Sequence, residues 1–224
     1  MTDSSTMLTV TPGTTPATRT LLMCGVVAGP LFVVVALLQA FTRDGFDLKV
    51  HPFSMLSLGE LGWIQIANFV IVGLLFATCA LGMRRALHPG RAGTWGPLLI
   101  AAFGVSQIGG GIFLADPALG FPPGAPQGPP ASVSLQGALH GVAFAVGMSS
   151  LIAAFFVLAR RFAADRDRAW ARYSVASGVL FVVLSGLGVA GGDFRIVAVA
   201  IAIGWVWAAL TAARLLRVTG TTGL

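Results

Sequence analysis

The sequence predicts an all-α membrane protein with six transmembrane helices and both termini on the cytoplasmic side. Three observations predict it. The chain of 224 residues is 56% hydrophobic and only 10% charged, far below the roughly 25% charge of an ordinary soluble domain, so it cannot clothe a water-facing surface. Six apolar runs match the roughly 20 residues a helix needs to cross the hydrocarbon layer. Basic residues crowd into alternate connections between those runs, the pattern that orients membrane proteins. Helices follow from solvent physics, because an open sheet edge has no hydrogen-bond partner in lipid.

Residues 1–20 (MTDSSTMLTVTPGTTPATRT) are rich in Ser, Thr and Pro and have too little apolar surface for a core; they are expected to form a flexible cytoplasmic tail. Their single basic residue, Arg19, and the long apolar run behind it do not fit a signal peptide. The expected spans are Leu21–Phe41, Leu58–Met83, Trp95–Ala115, Gln136–Ala159, Tyr173–Gly191 and Arg195–Ala213. Residues 21–215 then form one six-helix transmembrane domain and 216–224 a short cytoplasmic tail. Paired small residues such as Gly25/Gly29 and Gly137/Gly141, together with Gly109–Gly111 and Gly186/Gly188, are expected to let helices approach closely.

Of the fourteen Lys and Arg, eleven fall in the tail, the 84–94 and 160–172 connections and the C-terminus, and three around 42–57, 116–135 and 192–195. That asymmetry puts both termini inside. The formal charge of +6 is therefore a topology signal and not a nucleic-acid footprint. Thirteen of the fourteen are Arg, which beside so much Ala and Gly suggests a GC-rich bacterial genome; the membrane expected is a bacterial or archaeal cytoplasmic membrane. Cys24 and Cys79 sit inside apolar runs and read as packing residues.

With this topology, Asp44, Asp47, Glu60, Asp116 and Asp193 lie on the outer side, as do His51 and His140. The segment HPFSMLSLGELGWIQIANF (His51–Phe69) is the most informative. Ser57 and Glu60 fit an S-x-x-E capping box at a helix start. Gln65 and Asn68, three apart in the outer half of the second helix, are expected to hydrogen-bond another helix or to line a pocket, and Trp63 to anchor at the interface. Asp116 is expected at the C-terminal end of the third helix, where the dipole disfavours an anion; it either has a compensating partner among His51, His140 and Arg195 or is a solvated loop aspartate. His140 shares a helix face with Gln136, and Gln107 can reach the same region. Asp193 and Arg195 flank a short turn and read as a helix cap and a snorkelling cation. The 116–135 segment has six prolines and no Lys or Arg, a semi-rigid cover or a plain connector.

These residues resemble a signature of the bacterial and archaeal membrane family called domain of unknown function 998. The likeness lies in His51-Pro52, Ser54, Leu56-Ser57, Gly59, Gly62-Trp63-Ile64-Gln65 and Asn68-Phe69. The Asp116-Pro117 step, the Gly137/His140 pair and the six-span layout add to it. The resemblance implies a six-helix membrane protein with polar residues at the outer helix ends and brings no activity with it.

The functional expectation is an outer-face polar site that binds or acts on a lipid or isoprenoid-like molecule entering sideways from the bilayer. His51 and His140 are the acid/base or metal-ligand candidates and Asp116 their orienter or a third ligand. Glu60, Gln65, Asn68, Gln107, Asp193 and Arg195 are the binding candidates. No metalloprotease or nucleophile-elbow motif occurs, a bis-histidine haem through His51 and His140 has no support in the spacing, and the cofactor stays unassigned. The partners expected are membrane lipids and no nucleic acid; assembly into a homo-oligomer stays open. The competing readings are a structural or regulatory subunit, whose polar residues only cap and glue helices, and a small-solute transporter. The apolar inner halves of the spans count against the transporter.

Overall fold

A computed structural model describes residues 15–130 and 132–220. It contains α1 (Pro16–Thr42), a 3₁₀ turn (Phe53–Ser57), α2 (Gly62–Leu87), α3 (Ala92–Ile112), α4 (Leu135–Ala164), α5 (Arg168–Gly191) and α6 (Phe194–Gly220). All six helices are long and apolar enough to cross a bilayer, so the chain is a multi-pass membrane protein. Among the described residues the only strand-like pairing is one antiparallel bridge between Ala118 and Phe121.

α1 starts ahead of the expected Leu21 because the Thr15 side chain caps it, accepting from the Thr18 amide, and Pro16 opens it, a position where a missing N–H costs nothing. Residues 1–14 of the expected tail lie outside the described residues.

The helices pack in a closed ring in chain order, each on the next and α6 back on α1. Lipid tails are as apolar as leucine, so no hydrophobic force drives helix to helix, and close backbone approach has to do it. A glycine stands at every one of the six interfaces. Gly25 faces Cys79 (α1–α2), Gly73 and Gly104 face each other's carbonyls (α2–α3), and Gly147 faces Ser106 (α3–α4). Gly178 lies on Phe155 (α4–α5), Gly188 on Val197 (α5–α6) and Gly29 on the Trp205 carbonyl (α6–α1). The expected Gly25/Gly29 pair thus packs helices. Gly137/Gly141 does not: Gly137 makes room for the Asp116 carboxylate, and Gly141 and Gly186 face open space.

The ring has no open centre. Phe32 and Trp205 lie 5.1 Å apart, Trp205 and Phe103 4.8 Å, and Phe103 and Phe76 5.1 Å, an aromatic chain joining α1, α6, α3 and α2 through fully buried rings. The outer surface is apolar instead, with Leu38, Phe41, Leu74, Leu81 and Val105 all more than half exposed, as lipid contact requires.

At one end of the ring lie the start of α1, the 88–91 and 165–167 connections and the end of α6. Arg161 donates there to the Leu87 and Pro89 carbonyls, and Arg214 pairs with Asp167 at 2.7 Å. The other end carries the 43–61, 113–134 and 192–193 connections. Just below that second end, Gln39 Nε2 donates to Gln65 Oε1 at 2.8 Å, and Asn68 Nδ2 donates to the same oxygen and to the Phe32 carbonyl, each at 3.2 Å. Gln65 and Asn68 therefore glue α2 to α1, through a Gln39 that the sequence reading did not single out.

The S-x-x-E capping box does not form. Ser57 closes the 3₁₀ turn with a buried, unpartnered hydroxyl, Leu61 precedes the first turn of α2 without a side-chain cap, and Glu60 is exposed. Gly59, at φ +74°, turns the chain there, so the helix starts after Glu60 and not before it.

A candidate amphiphile-binding cavity

The long connections at the second end are tied together before they can form a site. Backbone N–H of Asp47 can only donate, so His51 Nδ1 accepts it at 2.9 Å; Nε2 then carries the proton and donates to the Leu119 carbonyl at 2.9 Å. The imidazole is 4% exposed and packs on Phe46 and Phe121. Arg43 reaches past the end of α1, donates to the Leu56 and Leu58 carbonyls at 2.6 Å each, and lies 5.2 Å over the Phe121 ring. Burial pulls its guanidinium below the ordinary arginine value. His51 and Arg43 together fasten the proline-rich 113–134 connection onto the 43–61 connection.

Asp116 is not at a helix C-terminus. α3 ends at Ile112, and the carboxylate crosses to the start of α4, where Oδ2 accepts from the Ser134 amide at 3.0 Å and lies against Gly137. The partner is therefore a helix N-terminus, which favours an anion, and not His51, His140 or Arg195. Bonds from Ser134 hold the Asp116 carboxyl below the usual carboxylate range.

One turn further along α4, His140 Nδ1 meets the Phe113 carbonyl at 2.8 Å. A carbonyl only accepts, so Nδ1 carries a proton, and in the neutral tautomer this leaves Nε2 as the acceptor. Across from it stands Gln107 of α3, 5% exposed, whose Oε1 is buried without a partner. Such a group costs free energy in an apolar setting and calls for an explanation.

His140 and Gln107 open on a cavity of about 380 Å³. Its floor is the Phe32–Trp205 face of the aromatic chain, and its walls include Phe53, Met55, Phe69, Phe144, Met148, Val197 and Ile201. Asp116 and Ser54 complete the polar edge, and among the described residues no Lys or Arg lines it. A recess of about 40 Å³ adjoins it between Ser54, Ser106, Gln107 and His140. The Ser106 hydroxyl is already committed to the Phe103 carbonyl at 2.7 Å.

The cavity also opens sideways. α4 and α5 pack closely near the first end, through Phe155 on Phe181 and Phe162 on Trp170. Toward the second end a cleft lies between them. The cleft left between them, about 400 Å³, is lined by Phe181, Ser185, Gly186 and Ala190, and shares Phe144, Met148, Val189, Val197 and Ile201 with the cavity.

Of the expected site residues, the structure brings together Asp116, His140 and Gln107. His51 does not line the cavity; Leu119, whose carbonyl it holds, does. Gln65 and Asn68 are buried in the α1–α2 contact, and Gln136 and Glu60 are exposed. Asp193 and Arg195 pair with each other at 2.6 Å, which lowers the Asp193 pKa. Arg195 lines a separate groove of about 590 Å³ between α1 and α6, beside Asp47 and Lys49. Among the described residues no three His, Cys, Asp or Glu cluster to hold a metal ion. Ser54 was missed as a chemical group, because a serine between Phe53 and Met55 gives no periodic signal. Arg43 had one: a cation placed directly behind the apolar run of the first span.

The model of the family described as Protein of unknown function (DUF998) matches residues 26–214. No curated protein and no solved structure matches the chain.

Proposed function

This chain belongs to the DUF998 family, whose description names no activity, and we propose that it binds one lipid-like or isoprenoid-like molecule in the cavity at the outer end of its helix ring. The observation that carries this reading is the pairing of a buried, unpartnered amide oxygen, Gln107 Oε1, with the His140 imidazole above an aromatic floor. A water-soluble ligand would leave that floor unsatisfied, and a pure hydrocarbon would leave the amide so. An amphiphile satisfies both.

The arginine-rich end faces the cytoplasm by the positive-inside rule, which puts the cavity at the outer leaflet of a cytoplasmic membrane and both helical termini inside. The cleft between α4 and α5 gives the ligand a route from the bilayer without crossing the polar connections. His140 is placed to take a proton from a bound hydroxyl through Nε2 while Phe113 fixes its tautomer, so the site has a general base should the bound molecule react. The aromatic chain beneath the cavity argues against a through-going solute path, the transporter reading.

Native mass spectrometry of the full chain in detergent tests this, with the wild type and His140→Ala each equilibrated with a C20 isoprenoid alcohol, its monophosphate and monooleoylglycerol. One amphiphile retained per wild-type chain and lost from His140→Ala is the expected result. Bare protein in both samples would leave the structural-subunit reading standing. Gly186→Trp, which fills the cleft at a position facing open space, is expected to slow loading by at least about tenfold without unfolding the protein.

A further inference from the structure

The polar groups of the cavity also say what kind of head the ligand carries. This inference rests on the amphiphile-binding reading above and narrows it.

The groups that meet the head are few, and their hydrogen-bonding capacities are known. His140 Nε2 is an acceptor in the neutral tautomer that the Nδ1 bond to Phe113 selects. Gln107 Oε1 is a buried acceptor lacking a donor. Asp116 is a carboxylate held in its ionised form by Ser134, at the rim of the same cavity. Ser54 can give or take. The Gln107 amide nitrogen and the unpartnered Trp205 Nε1 add donors, but none of these groups is a cation, and among the described residues neither the cavity, its recess nor its lateral cleft has a Lys or Arg among its walls. Phosphate and carboxylate heads are ordinarily held by arginine, lysine or several converging amides. Here an anion would face Asp116 across an apolar chamber with no cation to offset it. The recess between Ser54, Gln107 and His140, at about 40 Å³, has room for a few water-sized groups, since one water needs about 10–15 Å³ of such space.

We propose that the cavity selects a long-chain alcohol, whose uncharged hydroxyl enters the recess, donates to Gln107 Oε1 or His140 Nε2 and accepts from Ser54, and that it excludes the phosphorylated and carboxylate forms of the same chain. The hydrocarbon lies over Phe32 and Trp205, and its far end leaves through the α4–α5 cleft.

The test is a binding comparison on the full chain in detergent, using the C20 isoprenoid alcohol, its monophosphate, the matching carboxylic acid and the C20 hydrocarbon with no head. The alcohol is expected to bind at least about tenfold tighter than each of the other three, a ratio matching one good hydrogen bond left unmade. Gln107→Leu is expected to weaken the alcohol by about tenfold and leave the bare hydrocarbon unchanged, with Ser54→Ala as the milder second variant. Equal or tighter binding of the phosphate or the acid would overturn the head assignment and leave the amphiphile site intact. So would an alcohol affinity that neither substitution moves. No binding by any of the four would overturn the site itself.

Discussion

His51 Nε2 donates to the Leu119 carbonyl across 2.9 Å, while Nδ1 of the same ring accepts the Asp47 amide. One imidazole thus closes two connections that are 68 residues apart in sequence. Both ring nitrogens are used up in doing so, which leaves His51 a fastener of the cavity wall and not a ligand within it.

His51→Ala removes two hydrogen bonds and strands a carbonyl and an amide in a buried setting. The expected loss is about 2–3 kcal/mol, read as a lowered unfolding midpoint in detergent. Below that midpoint the variant should still retain the C20 alcohol. Loss of the ligand from the folded variant would put His51 back in the site.

The mutual contact of Gly73 and Gly104 predicts a contrast between two glycines. A Cβ on Gly73 would stand 2.5 Å from the Gly104 carbonyl oxygen, a backbone atom that cannot swing away. Gly73→Val should therefore cost about 1–3 kcal/mol by overpacking. Gly141 meets nothing within 4 Å, and Gly141→Ala should be neutral or stabilising by up to about 1 kcal/mol. Paired thermal unfolding of the two variants checks this, and equal losses would contradict the ring geometry.

The spans were legible because length and hydropathy suffice to mark a lipid-crossing helix. Which glycine meets which helix was not, since Gly73 and Gly104 are partners across a ring that no local spacing encodes. The same limit explains Asp116. Its sequence place after an apolar run pointed to a helix C-terminus, but the chain turns and the carboxylate serves the next helix start. Gln107 and His140 were visible as polar groups inside spans, and intramembrane polarity is a local property. Their convergence with Ser54 depends on how α3, α4 and the 3₁₀ turn meet. The capping box failed for a local reason that the motif ignores, because Gly59 takes a left-handed turn between its two residues.

Asp116 predicts an acid-sensitive term. Its folded pKa is depressed by Ser134, so its stabilising contribution is present above the ordinary carboxylate value of about 3.9 and is lost as pH falls through the folded value. Asp116→Asn can still accept from the Ser134 amide, but it cannot titrate. The difference between wild-type and variant unfolding midpoints should therefore shrink as pH is lowered from 7 to 3. Parallel curves would mean the carboxylate does not stabilise the start of α4.

Gln107 gives the prediction that most sharply separates a binding group from a framework group. A framework amide is stabilising because its partners need it, as Gln65 is needed by Gln39 and Asn68. Gln107 Oε1 has no partner among the described residues, so its burial is a cost in the empty protein. Gln107→Leu keeps similar volume and removes that cost, and should raise the unfolding midpoint of the ligand-free protein by the equivalent of about 1 kcal/mol. With the C20 alcohol at saturation the order should reverse, because ligand stabilises only the chain that binds it. The measurement is one pair of melting curves with and without the alcohol. A variant less stable than wild type in both conditions would make Gln107 a packing residue. The reversal is what a site kept at the expense of stability must produce.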